Sequence, residues 1–211
     1  QYKLDVDESR VFEDNEGWQE MLIPSNWHLA GLENYAGTVW FKRRFSAPER
    51  WEECQIWLKF HGVDYYADVW LNGHYLGHHE GYFQSFEFNV TSKLLAGENV
   101  LLVRVDSPLE EPGRVWPDKK RLIKGIFNHH DCRPGSWHPR QGQAGNTGGI
   151  WNDVELVATG QVRIAQVKVS PMVMADESAI VAVQIAVDNL SEGDILATVK
   201  VEIEADADVM G

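Results

Sequence analysis

Basic residues are scarce in this sequence: 19 Lys and Arg stand against 32 Asp and Glu over 211 residues, a formal net charge of −13. A field of that sign repels phosphate, which argues against nucleic acid and against anionic membrane surfaces as partners. Cysteine is scarcer, with only Cys54 and Cys132, far apart in the chain. Two thiols so placed make neither a disulfide framework nor a metal-ligand motif, so free thiols in a reducing compartment are expected. No leader pattern opens the sequence, which begins at Gln1, and a cytoplasmic location is the corresponding expectation. Long apolar runs are missing too, and no stretch is long enough to span a bilayer. Nor does any long stretch carry apolar residues at helical spacing, which leaves short strands as the means of building a core.

What the chain does have is aromatic and heavily punctuated. It is 44% hydrophobic and 11% aromatic with nine Trp, and eighteen Gly and eight Pro break it into short apolar runs. That is the composition of an all-β chain of one or two domains. Residues 60–77, FHGVDYYADVWLNGHYLG, show the pattern best. Ala67, Val69 and Leu71 alternate with Asp68 and Trp70, as in a strand with one buried face. Asn72 and Gly73 follow; both tolerate φ > 0, which a two-residue type I′ hairpin turn requires. Upstream, Val39, Phe41 and Arg43 alternate with Trp40, Lys42 and Arg44, which predicts a half-buried strand with a basic outer face. Ile56, Leu58 and Phe60 share one side of another strand. Tyr82, Phe83, Phe86 and Phe88 suit an interior, and residues 91–95 suit a short helical turn. Residues 100–105 are apolar on both faces, as a central strand is. Residues 1–17 read as a loose arm or edge strand.

Several blocks stand in a fixed order: WQEMLIPSNW, YAGTVWFKRRF, the hairpin, EGYFQSFEFNVTSKLL, AGENVLLVRV and GNTGGIWNDVELVATG. Together they resemble the amino-terminal sugar-binding domain of glycoside hydrolase family 2, which contains β-galactosidases, β-glucuronidases and β-mannosidases. The resemblance implies a mainly β fold: a jelly-roll β-sandwich, galactose-binding-domain-like, over residues 1–160. It further implies the start of an immunoglobulin-like β-sandwich over residues 161–211. There the sequence changes to three β-branched runs, VRIAQVKVSP, AIVAVQIAVDN and ILATVKVEIEA. These are too few residues for such a sandwich, which takes about 100. The segment is therefore expected to be truncated.

Between the AGEN strand and the closing GIW strand, regularity stops. Residues 107–149 are rich in Pro and Gly yet hold Trp116, Phe127, Trp137, three His and several Arg. A stretch well beyond about 15 residues without strands, and with so many aromatics, reads as an ordered functional excursion. It is expected at the same end of the sandwich as the Asn72 tip. In the family, catalysis belongs to a later barrel domain that supplies two glutamates; a barrel takes about 250 residues. No catalytic residue is therefore expected in this chain, which is expected to be inactive alone and to buttress its own downstream barrel domain. For substrate binding the resemblance points to Asn72, whose amide both donates and accepts; the alternative is that Asn72 only permits the turn. In the excursion, Asp131, Arg133, Trp137 and Arg140 are the candidates for a substrate carboxylate, hydroxyls or a sugar ring, or else they pack their own loop. Asp131 sits far upstream of the family's acidic sugar contact, which puts galactose specificity in doubt. Adjacent His78–His79 and His129–His130 point to opposite sides of a strand and make poor metal sites, so neither metal nor cofactor is expected. The partner expected is a carbohydrate substrate met through a full-length hydrolase, β-galactosidase-like, and a homo-oligomer is compatible with this. A stand-alone carbohydrate-binding module and a scaffold domain are the alternatives.

Overall fold

The structure, a computed structural model, describes residues 1–4, 6, 11–33, 35–48, 51, 53–109, 122–124, 147–176 and 178–204. The chain divides into two units, Gln1–Ala158 and Thr159–Gly211. Among the described residues the first holds ten strands: β1 (Tyr2–Lys3), β2 (Gly37–Ser46), β3 (Gln55–Phe60), β4 (Val63–Asp64), β5 (Tyr66–Leu71), β6 (His74–Glu80), β7 (Phe86–Asn89), β8 (Glu98–Ser107), β9 (Gly149–Ile150) and β10 (Val154–Thr159). The one helical element among the described residues is a 3₁₀ turn at Thr91–Lys93.

A five-stranded sheet in the order β1-β2-β8-β5-β6 accompanies a three-stranded sheet in the order β10-β3-β7 and a short β4-β9 pair. β8 is the central strand of the larger sheet, as its two apolar faces predict. Alternation decides which residues form the core. Ala67, Val69 and Leu71 of β5 are fully buried, while Tyr66, Asp68 and Trp70 are half-buried on the other face. Ile56, Leu58, Phe60, Val69 and Val103 belong to one continuous core cluster. Each such side chain contributes on the order of 1.5–3 kcal/mol by leaving water.

The outer face of β2 departs from the expectation of a solvated basic surface. Residues 11–18 cross it, so Trp40 and Lys42 are both only 3% exposed. Trp40 packs with Val11 and Leu102. The Lys42 ammonium donates to the Asp14 carbonyl at 2.9 Å and to Asn15 Oδ1 at 3.1 Å, and lies 5.2 Å from the centre of the Trp18 ring. Burial, then the Arg44 charge, hold the Lys42 pKa below its ordinary value. Residues 11–18 are thus a strap with a small core of their own, and β1 pairs with β2 at the edge of the sheet.

The sequence blocks are locked together by close approaches. Gly148 lies under Trp27: a Cβ there would fall 2.0 Å from Cζ2 of that ring. Gly62 lies under Trp151 in the same way, at 2.6 Å. Glycine is required at both places because a ring occupies the side-chain volume. These two contacts join the WQEMLIPSNW block and the hairpin block to the GNTGGIWNDVELVATG block.

The second unit is an antiparallel hairpin of β11 (Val162–Val173) and β12 (Ala179–Asn189), with a register shift between Ile164 and Gln166. The third β-branched run differs from expectation: residues 195–204 carry no ladder. A β pattern favours extension, but a strand also needs a partner edge, and none pairs with this run among the described residues.

Candidate functional site

Asn72 stands at the turn with φ 51°, followed by Gly73 at 81°, both in the left-handed region that the turn demands. Its side chain is spent inside the domain. Nδ2 donates to the Lys93 carbonyl and to Asn99 Oδ1, each at 2.8 Å, while Oδ1 accepts from the Val100 amide at 2.8 Å. Both donors are used and one lone pair remains. Asn99, fully buried, completes the lattice: it accepts from the Leu95 amide and donates to the Leu95 and Gly97 carbonyls. The hairpin tip and the AGEN turn are therefore two halves of one amide–amide joint. Sequence reasoning finds both turns and misses the link, although two Asn at turn tips are its signal.

The excursion does not emerge beside that tip. Asn72 donates its backbone amide to the Val100 carbonyl near the start of β8, whereas the excursion leaves from Ser107 at its end. The register agrees: Leu71 faces Leu101, and Tyr66 faces Asp106. At roughly 3.4 Å per residue the two features are about 24 Å apart along β8. The expectation that they share an end is corrected. The strand direction of β8 between the two features sends them apart.

At the excursion's end lies a buried polar cluster. Asp64 is 1% exposed, and Ser107, Lys124 and Thr147 are fully buried. Lys124 Nζ donates to Ser107 Oγ at 2.6 Å and to the Thr147 carbonyl at 3.4 Å, and stands 3.6 Å from Asp64 Oδ1. The Ser107 hydroxyl has one proton to give, with the Thr147 carbonyl at 2.6 Å and Asp64 Oδ1 at 3.0 Å. Burial pushes the Asp64 carboxyl above its ordinary range, against the pull of the Lys124 charge. Trp27 Nε1 is buried with no hydrogen-bond partner among the described residues, while the Thr147 side chain helps to hold the Asp64 carboxyl down. None of these groups reaches solvent.

Beside it, aromatic rings come to the surface. Tyr82 and Trp151 stack at 4.7 Å and 16°, and Phe83 meets Tyr82 edge-on at 4.6 Å. Trp151 Nε1 donates to the Tyr82 carbonyl at 3.1 Å. Tyr65 and Leu122 are buried in the same cluster, while Phe83 is 40% exposed. Asp131, Arg133, Trp137 and Arg140 lie outside the described residues, as do Cys132, His129 and His130. In sequence the four candidates fall between Lys124 and Thr147, whose places are fixed at this end. Asp64, Lys124, Ser107 and Thr147 escape a reading of the sequence because isolated polar residues have no periodicity to betray burial, and the last three stand beside Gly or Pro. Elsewhere, a cleft of about 410 Å³ opens between the sheets beside residues 21–24 and β10, but its walls are mainly core side chains.

The profile of the glycosyl hydrolase 2 galactose-binding domain-like family matches residues 20–151, more than half of the chain. The chain belongs to this family. A β-galactosidase of Thermoanaerobacter pseudethanolicus is 32% identical over 108 residues, which are 50% of this chain and 14% of that protein. A β-glucuronidase of Formosa agariphila is 28% identical over 182 residues, 85% of this chain and 16% of that protein. The solved Bacteroides uniformis β-glucuronidase superposes with a TM-score of 0.64 at 24% identity, covering 90% of this chain and 21% of that one. The fold class expected from the sequence, a mainly β galactose-binding-like domain, is therefore the one found. The family member described here spans about a sixth of these curated relatives.

Proposed function

We propose that the chain is the non-catalytic amino-terminal region of a retaining family 2 glycoside hydrolase that cleaves terminal β-glycosides, with a β-galactoside as the first candidate substrate. Family membership, together with relatives named β-galactosidase and β-glucuronidase of which this chain covers 14% and 16%, is the observation that carries this reading. A β-sandwich of this size has no room for the barrel that positions two carboxylates about 5 Å apart. Its part is to buttress that barrel and to bring the excursion end toward the sugar. The end with Phe83, Tyr82 and Trp151 suits that part, since it fixes Ser107, Lys124 and Thr147, the residues that bracket Asp131, Arg133, Trp137 and Arg140 in sequence. Asn72 then serves as the joint of its own turn, with one acceptor to spare. A β-glucuronide is the second reading, favoured by the two arginines near Trp137, because a guanidinium fork matches a sugar carboxylate.

The test is kinetic. The full-length protein should hydrolyse a nitrophenyl β-galactoside or β-glucuronide, and the 211-residue chain neither. Turnover by the pure chain that a point mutation within it abolishes would sink the proposal. So would a full-length protein inert on both substrates that still binds sugar, which favours a stand-alone binding module. A full-length protein that neither turns over nor binds sugar favours a scaffold.

A further inference from the structure

Asn72 and Gly73 form the only Asn–Gly step in the sequence. Such a step carries a reaction of its own. The nitrogen of the following residue bonds to the Asn Cγ, and the side-chain nitrogen leaves as ammonia with the proton that the attacking nitrogen gives up. Water then opens the five-membered imide at either carbonyl, which yields Asp or its β-linked isomer. Asparagine is among the thermolabile residues for this reason, and a glycine after it has no side chain to hinder the approach.

At this turn one requirement is met and another is refused. Gly73 is exposed, and nothing lies within 4 Å of the place its Cβ would take, so water and base have access to its nitrogen. The carboxamide of Asn72 is held by three hydrogen bonds of 2.8 Å, to the Lys93 carbonyl, to Asn99 Oδ1 and from the Val100 amide. Ring closure turns that carboxamide, and expelling ammonia breaks both bonds from Nδ2. The partners do not follow. Lys93 belongs to the 3₁₀ turn, and the fully buried Asn99 is fixed by its own bonds to Leu95 and Gly97.

The product fits the joint badly. An Asp at position 72 presents an oxygen where Nδ2 stood, toward the Lys93 carbonyl and Asn99 Oδ1, which are both acceptors. Asn99 cannot turn over to offer its amide without losing the Leu95 amide as a donor and the Leu95 and Gly97 carbonyls as acceptors. Three acceptors then meet with no proton between them.

We propose that Asn72–Gly73 is a deamidation site gated by the amide joint. Conversion is slow while the joint is closed and fast when it opens, and the product does not close it again. The hairpin tip thereby records the time it has spent open, whatever the substrate of the full-length protein.

The experiment incubates the full-length protein at mildly alkaline pH, with and without denaturing urea. Peptide mapping by mass spectrometry follows conversion at Asn72. Fragment-resolved hydrogen exchange follows the Val100 amide, whose acceptor is Asn72 Oδ1. Conversion in the fold should run at least about tenfold slower than in urea, because it waits on local opening. As urea rises toward the unfolding transition, conversion and Val100 exchange should accelerate together. Asn72→Asp, which makes the product directly, should melt below the wild type. Conversion as fast in the fold as in urea would overturn the proposal, as would no conversion in either. So would conversion that stays flat while Val100 exchange accelerates. An Asn72→Asp protein that melts with the wild type would overturn it too, since the product would then close the joint.

Discussion

At the scale of single residues, a turn motif and a side-chain role separate cleanly at Asn72. The motif is legible in the sequence, because φ > 0 at two successive positions leaves few residue types to choose from. The role is not, because the partners Lys93 and Asn99 are 21 and 27 residues away. Asn72→Gly keeps the backbone and deletes three hydrogen bonds. It should cost on the order of 1–3 kcal/mol in urea unfolding, since the buried Asn99 side-chain carbonyl and the Val100 amide each lose a partner. An unchanged urea midpoint would mean that water replaces the amide at no cost. His79 makes a second test. Its ring stacks on Phe86 at 4.0 Å and 13°, and Nε2 is buried with no hydrogen-bond partner among the described residues. Burial, then the His78 charge, lower its pKa from 6.5, against Glu80 and a backbone hydrogen bond at Gly81. The folded state then binds a proton less readily than the unfolded chain. Above the ordinary value of 6.5 the difference contributes nothing; as pH falls below it, the unfolded chain is protonated first and stability drops until the folded pKa is passed. His79→Phe should therefore lose less stability than the wild type between about pH 7 and pH 5. Equal losses in the two proteins would show that His79 is protonated as easily in the fold as out of it.

At the scale of elements, the strands are readable where one face is buried and the other is not. Ala67, Val69 and Leu71 declare β5 by alternation alone, and the doubly apolar run at 100–105 declares a central strand. Periodicity fails wherever burial comes from an unexpected quarter. Lys42 reads as solvent-facing because nothing in β2 reports that residues 11–18 cross it. The run at 195–204 reads as a strand because pattern carries no information about a partner. Glycines in the ordered blocks are legible as turns but not as contact points, and this yields a sharp comparison. Gly148→Ala places a methyl group 2.0 Å from the Trp27 ring, whereas Gly97→Ala meets nothing within 4 Å. The first should lose about 1–3 kcal/mol or more through overpacking, and the second should stay within about 0.5 kcal/mol. Urea midpoints of the two variants measure the contrast. If they agree, Trp27 is not pressed against the chain entering β9 and the joint between the two blocks is looser than described.

At the scale of the whole molecule, the two units differ in how their apolar residues are housed. The first unit buries Phe60, Val69 and Trp27 completely and carries its own continuous core. In the second, Val169 is 58% and Val173 77% exposed, and Ile180 is 52% exposed. Among the described residues the second unit contains no second layer of its own, and isolated two-stranded hairpins are marginal in water. The chain should therefore behave as one cooperative domain followed by a segment without a transition of its own. Truncation after Gly160 keeps β10, which runs to Thr159 and pairs with β3. Residues 1–160 should unfold in urea in a single transition, within about 0.5 kcal/mol of the first unit in the longer chain, because that unit carries its own continuous core and independent contributions are nearly additive. Residues 161–211 alone should show no sigmoidal melt by circular dichroism. A cooperative melt of that fragment at low concentration would mean that the hairpin carries enough stability by itself. Loss of more than about 2 kcal/mol from residues 1–160 would mean that the first unit borrows stability from the second, and the division at Thr159 would then mark a change of sequence pattern rather than a boundary between folding units.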